Sequence, residues 1–231
     1  MIQHDDDGPP ALLDEWARRR GVQMTVFHMR RSPKLPDPAA FEFAIVLGSV
    51  AHVGDRAEAW VADEIAWLRS ADDQSLPVLG ICFGAQVLAA ALGGAVRAAP
   101  RPEIGWISVS SDAPDLIGPG PWYSWHSDVI ELPPAASELA RNEFCPQAYA
   151  IGPHLGLQFH PEVTAALAGA WAAAPGAAEE LGRARVDAGA FARESERMAP
   201  LARDGAIRLF DGFLAQADPD TGRERAVSTH R

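Results

Sequence analysis

Three residues whose types suit covalent acyl chemistry lie in two short segments. Cys82 sits in Leu79-Gly80-Ile81-Cys82-Phe83-Gly84-Ala85-Gln86, and His160 and Glu162 sit in Gln158-Phe159-His160-Pro161-Glu162. A thiolate attacks carbonyl carbon, an imidazole moves protons near neutral pH, and a carboxylate fixes the imidazole's tautomer and stabilises its cation. Val78, Leu79 and Ile81 suit a buried strand, while Ala85 to Leu92 consists almost wholly of good helix formers and stops at Gly93-Gly94. The join reads as a strand-to-helix elbow with Cys82 at its tip. Gly80 and Gly84 flank it, where side chains would collide with neighbouring backbone. Unpaired N–H groups and the dipole at a helix N-terminus favour the nucleophilic thiolate. The Phe83 N–H lies beside the sulfur, where an oxyanion would form on an attacked carbonyl; one such donor is typically worth roughly 10²–10³ in rate. Taken alone, Cys82 also fits a small buried cysteine ending a core strand.

Proline after His160 pushes it into an extended conformation, so His160 and Glu162, two apart, project to the same side. That spacing lets the carboxylate hold the second N–H of the imidazole. Gly48-Ser49, at the end of the apolar run Phe41 to Leu47, forms a small-residue turn whose N–H groups are available as a second oxyanion donor. His126-Ser127-Asp128 follows the aromatic run Trp122 to Trp125 and is either crevice lining or a polar turn. Cys145, in Phe144-Cys145-Pro146, reads as a packing residue. There is no GxxxxGK phosphate loop and no cysteine/histidine spacing suited to zinc.

The elements that must position these groups follow from periodicity. Met1 to His4 allows a stub of strand, Asp5 to Pro10 a solvated loop at its C-terminal edge, Ala11 to Arg20 a helix closed by Gly21, and Val22 to Met29 a strand. Arg30 to Pro38 is a surface linker, Phe41 to Leu47 a strand buried on both faces, and Arg56 to Ser70 an amphipathic helix. This order is that of a doubly wound α/β fold, in which sites lie at the C-terminal ends of parallel strands. Beyond Gly94 short runs at Ala95-Val96, 104–109, 122–126, Glu143-Phe144, 148–151 and 156–160 predict mostly antiparallel strands. Val163 to Ala173 is an alanine-rich helix, Ala177 to Gln216 one or two more, and Asp218 to Arg231 a frayed tail.

At 231 residues, 48% hydrophobic and 22% charged, the sequence suits one large soluble α/β domain over 1–217, and no window is apolar for long enough to span a bilayer. A net charge of −11 without a basic stripe disfavours nucleic acid. Two cysteines in unrelated contexts and no signal segment point to a reducing cytoplasm.

Gly80-Ile81-Cys82-Phe83-Gly84-Ala85-Gln86 together with Gln158-Phe159-His160-Pro161-Glu162-Val163-Thr164 resembles the class I (triad) glutamine amidotransferase family over about residues 41–172. The order of nucleophile, His and acid differs from that of α/β-hydrolases. Trp125-His126-Ser127-Asp128 is similar to a segment of stand-alone members related to the amidotransferase domain of GMP synthase. The resemblance implies a flavodoxin-like doubly wound, mostly parallel sheet flanked by helices, with an antiparallel extension. It also implies a Cys82, His160 and Glu162 triad, an oxyanion hole from Phe83 with Gly48 or Ser49, and substrate contacts from Gln86, His126 and Ser127. The implied reaction is hydrolysis of a γ-glutamyl amide through a Cys82 thioester, with no cofactor or metal, releasing ammonia for a separate synthetase. A stand-alone γ-glutamyl hydrolase using the same triad and a non-catalytic protein keeping the fold are the alternatives. The family's oxyanion loop usually carries Gly-Gly-Pro, whereas this sequence reads Leu47-Gly48-Ser49, and its first strand is longer than Met1 to His4 allows.

Overall fold

The computed structural model describes residues 1–32, 34–54 and 58–217. The expected start of a helix at Arg56 and the expected tail from Asp218 lie outside the described residues. The first half alternates strands and helices: β1 (Ile2–Gln3), α1 (Leu12–Arg20), β2 (Phe27–His28), β3 (Ala44–Val46), α2 (Ala59–Asp73), β4 (Val78–Ile81) and α3 (Phe83–Ala91). The strands β5 (Ala95–Ile107), β6 (Ser110–Ser111), β7 (Trp122–Glu131), β8 (Ser137–Arg141), β9 (Pro146–Ile151) and β10 (His154–Leu157) follow, then helices α4 (Ala165–Ala172), α5 (Ala177–Ala184) and α6 (Ala188–Ala217).

The main sheet has the order β2-β1-β3-β4-β10-β9-β8-β6. The pairings from β2 through β10 are parallel, and those from β10 through β6 antiparallel. Side-chain alternation sorts the apolar strands onto two faces. Ile45, Leu79, Ile81 and Leu155 join Leu13, Trp16, Phe210 and Phe213 beneath α1 and α6. On the opposite face Val46 and Val78 join Trp60, Leu68, Val87 and Leu88 beneath α2 and α3. A sheet covered on both sides is why these strands read as continuous apolar runs rather than as alternation.

A separate antiparallel ribbon, β5 with β7, stands beside the sheet. With α4, α5 and the start of α6 it encloses a third apolar cluster built on Ile104, Tyr123, Leu167, Leu181 and Phe191. Thr164 caps α4 by accepting from the Leu167 N–H, a contact typically worth about 1 kcal/mol. The long α6 is tied back to α1 by Arg203 on Glu15, at 2.8 and 2.5 Å, and by Arg20 on Asp211.

Several expected boundaries move. Of Val22 to Met29 only Phe27–His28 forms a strand; the Val22 N–H instead closes the end of α1 on Ala17 O. Ala95-Val96 and the run from Ile104 belong to one strand that carries a register shift between Ala98 and Glu103. Glu143-Phe144 is a turn, because the Asn142 carboxamide accepts from the Phe144 and Cys145 N–H groups. The strand of that region is β8, whose Ser-Glu-Leu-Ala-Arg lacks the β-branched and aromatic residues that mark strands. β10 pairs parallel to β4 as well as antiparallel to β9. Among the described residues no helix is long and apolar enough to cross a membrane.

Candidate active site

Cys82 occupies the turn between β4 and α3 with φ 51° and ψ −109°, a backbone region that a residue with a Cβ seldom enters. Close packing enforces the turn. A Cβ on Gly84 would lie 2.1 Å from Val46 O, and one on Gly80 would lie 2.6 Å from Gly84 O. The helix start is therefore pressed onto β3 and β4. The Cys82 N–H donates to Leu157 O at 2.7 Å, which ties the elbow to β10. That of Phe83, in the first turn of α3, has no intrahelical acceptor.

His160 follows β10, and its N–H donates to Tyr123 O at 2.7 Å, so β7 sets its position. Its Nδ1–H donates to Glu162 Oε1 at 2.7 Å, with both side chains 4% exposed. The other ring nitrogen remains for the Cys82 sulfur. Burial alone would lower the affinity of the imidazole for its proton. The charges of Glu162 and Cys82 and their hydrogen bonds outweigh it and hold the pKa at about 10. The Trp171 ring packs edge-on against His160, with centroids 5.0 Å apart. The second carboxylate oxygen of Glu162 is buried without a hydrogen-bond partner among the described residues, as is the Tyr123 hydroxyl.

The Gly48-Ser49 turn abuts this pair. A Cβ on Gly48 would stand 2.9 Å from His160 Cε1 and 3.7 Å from Cys82 Cβ. The Ser49 hydroxyl donates to Asp5 Oδ2 at 2.7 Å, and the Val50 N–H to the same oxygen at 3.1 Å. Burial would raise the pKa of Asp5, but hydrogen bonds from Ser49, Val50 and Arg30, with the charge of Arg30, leave it below the usual carboxylate range. Asp5 belongs to the loop expected to be solvated. Its sequence signal was its place at the C-terminal edge of a parallel strand.

These groups open onto a cavity of about 300 Å³, walled by Trp125 and Trp171 and bordered by Asp128, Glu180 and Arg183. The indole N–H of Trp125 donates to Glu180 at 2.5 Å and that of Trp171 to Asp7 O at 2.6 Å, which joins the α4–α5 segment to the ribbon and to the first loop. The sequence marks Trp125 within its aromatic run and Trp171 within a helix, but not as walls of one cavity with Glu180, because their meeting depends on how the ribbon folds over the sheet.

The remaining expected contacts divide. Ser127 and Gln86 line the cavity, although the Gln86 carboxamide is turned toward Asp128 O and Gln158, both at 3.4 Å. His126 borders the cavity from within β7, so the run is a strand rather than a turn, but both its ring nitrogens are engaged. Nδ1 meets Asp128 O at 2.8 Å and Nε2 meets Glu103 at 2.9 Å. Cys145 is buried as expected, yet it lies beside His126 and Glu103, with the three ligand atoms within 4.8 Å of one another. The Gln147 NH₂ fills that cluster, with Glu103 at 2.7 Å, Asn142 at 3.2 Å and Cys145 Sγ at 3.4 Å. Burial and the charge of Glu103 hold the Cys145 thiol well above its ordinary pKa, the opposite of what a nucleophile needs.

The family model described as glutamine amidotransferase class-I matches residues 11–172, reaching further toward the N-terminus than the motifs do. A GMP synthase of Thermomicrobium roseum is 47% identical over 98 residues, 39% of this chain and 19% of that protein. A protein of Ignicoccus hospitalis, named as a subunit of glutamine-hydrolyzing GMP synthase, is 43% identical over 96 residues, 38% of this chain and 51% of that protein. The chain thus spans about a fifth and about half of these relatives. Among solved structures, a glutamine amidotransferase of Methylobacillus flagellatus superposes with a TM-score of 0.83 at 25% identity, covering 93% of each chain. One from Thermotoga maritima gives 0.81 at 23% identity over 92% of this chain and 95% of that one, a likeness of fold. With a family match across most of its length, and an elbow cysteine and a histidine–glutamate pair meeting at one cavity, this chain belongs to the class-I glutamine amidotransferase family.

Proposed function

We propose that the protein hydrolyses the side-chain amide of glutamine through a thioester on Cys82, with His160 and Glu162 completing the triad. The observation that carries this reading is the juxtaposition of a helix N-terminal cysteine with a buried imidazole whose far nitrogen is held by a carboxylate at 2.7 Å. The Cys82 thiolate attacks the carboxamide carbon. The oxyanion is met by the Phe83 N–H and by the Gly48-Ser49 turn, and the imidazolium of His160 protonates the departing ammonia. Acylation removes the negative sulfur that helped to raise the His160 pKa, so the imidazole, having given its proton to ammonia, stays neutral and free to take one from the water that releases glutamate.

Names of the relatives support an ammonia-consuming synthetase as acceptor, and a relative named as one subunit of such an enzyme supports an acceptor on a separate chain. Stand-alone hydrolysis of γ-glutamyl conjugates is the competing reading. Glutamate release is to be measured from L-glutamine and from γ-glutamyl dipeptides, with and without alkylation of Cys82 by a glutamine-like chloroketone. Release from glutamine that alkylation abolishes is the expected result. Preferential release from dipeptides would move the assignment to the hydrolase, and release that survives alkylation would overturn the Cys82 mechanism.

A further inference from the structure

A second histidine–glutamate pair lies directly behind the Gly48-Ser49 turn, and nothing in the triad uses it. His4 and Glu64 are both fully buried, 60 residues apart in sequence. His4 Nε2 is 2.9 Å from Glu64 Oε2, and His4 Nδ1 is 3.0 Å from the Gly48 carbonyl oxygen. The imidazole is clamped between Trp60, stacked at 5.0 Å, and the edge of Phe83, also at 5.0 Å. Such isolation would ordinarily favour an apolar side chain, because burying an ion pair costs several kcal/mol per ion before its interactions offset it.

The geometry around Gly48 says what the pair can do. Gly48 C=O and Ser49 N–H belong to one trans peptide, so they point in opposite directions. The carbonyl is drawn back to His4, which turns the Ser49 N–H away from the core and toward the cavity that Gly48 and Ser49 line. That N–H has no hydrogen-bond partner among the described residues. Asp5 fixes the following peptide through the Val50 N–H. The turn is thus held from both sides.

We propose that His4, held by Glu64, is a positioning residue: its Nδ1–H pins the Gly48 carbonyl and so aims the Ser49 N–H at the developing oxyanion. This rests on the functional reading above and selects Ser49 over Gly48 as the second donor. Both ring nitrogens of His4 face oxygen acceptors. Burial would lower its pKa, but the charge and hydrogen bond of Glu64 raise it overall, so the imidazole donates on both sides.

The test uses His4→Leu, His4→Asn and His4→Gln in the full chain. Asn places an NH₂ at the bond distance of Nδ1 and keeps the Gly48 contact; Gln reaches only toward Glu64. Loss of aim should lower kcat on glutamine by about 10- to 100-fold in His4→Leu and His4→Gln, with KM within about twofold, and His4→Asn should recover most of it. Affinity for glutamate γ-semialdehyde, which adds to Cys82 and forms an oxyanion, should fall by the same factor while affinity for glutamate holds. Rescue by Gln rather than Asn, equal weakening of both ligands, or unchanged kcat would overturn the proposal. Should His4→Leu not fold, the contrast between Asn and Gln decides it. Wild-type protein inactive on every γ-glutamyl amide would sink the functional reading and this one with it, whereas equal turnover by wild type and variants would sink this one alone.

Discussion

The loops after β10 and after β1 each place a buried histidine on a glutamate, and the two pairs differ in what is left open. His160 gives one nitrogen to Glu162 and presents the other to the Cys82 sulfur, so it can accept and return a proton. His4 spends one nitrogen on Glu64 and the other on the Gly48 carbonyl, so it can hold a backbone in place but has nothing left to transfer a proton. The same two side chains thus leave one imidazole nitrogen toward the cavity in the first pair and none in the second. Gly48 lies between the pairs, with its carbonyl on one and its Cα face against the other.

The comparison breaks most decisively at Cys82, which of the two imidazoles only His160 approaches. Cys82→Ala should lower kcat by about 10⁵- to 10⁶-fold with an unchanged circular dichroism spectrum; turnover near wild type would remove the proton-transfer role of His160. Next, Glu162→Gln should cost about 10³-fold in kcat, short of the loss at Cys82, because the amide leaves the imidazole in place without stabilising its cation. A loss no greater than that of His4→Leu would mean that the two pairs do the same kind of work.

Gly48→Ala sharpens the comparison. The added methyl would start 2.9 Å from His160 Cε1, so the imidazole or the turn must shift, and kcat should fall by about 10- to 100-fold while the fold persists. A variant within twofold of wild type would show that the turn is not held as tightly as the contacts to His4 and Asp5 require.

The smallest effect concerns pH. The His160 pKa is raised from 6.5 to about 10, so the pair contributes stability that is fully present below pH 6.5 and is lost as pH rises through about 10. The melting temperature of the wild type should exceed that of Glu162→Gln by a steady margin below about pH 6, and the margin should shrink as pH rises from 6.5 toward 10. A margin that instead grew with pH would mean that the pair is not an imidazolium–carboxylate.

Residue order alone reveals the local features of this molecule. The elbow is legible because Gly80 and Gly84 are the only residue type that fits between β3, β4 and α3, and because an apolar run gives way to helix formers at Cys82. Similarly, His160 and Glu162 are legible as a pair because a strand places residues two apart on one side, and the parallel core because both its faces are covered. The remaining features emerge only when the chain is folded. His4 and Glu64 are 60 residues apart, His126 and Glu103 are 23 apart, and Trp171 and Asp7 are 164 apart. No periodicity links such residues, since their contact follows from where parallel crossovers and the β5–β7 ribbon deliver them. The extent of the antiparallel strands likewise depends on partners: Ser137–Arg141 pairs because β6 and β9 flank it, and Val22 leaves its expected strand to close α1. Backbone hydrogen bonds with distant neighbours outweigh the weak preferences of such residues, which is why the walls of the cavity had to be seen and the elbow that carries Cys82 did not.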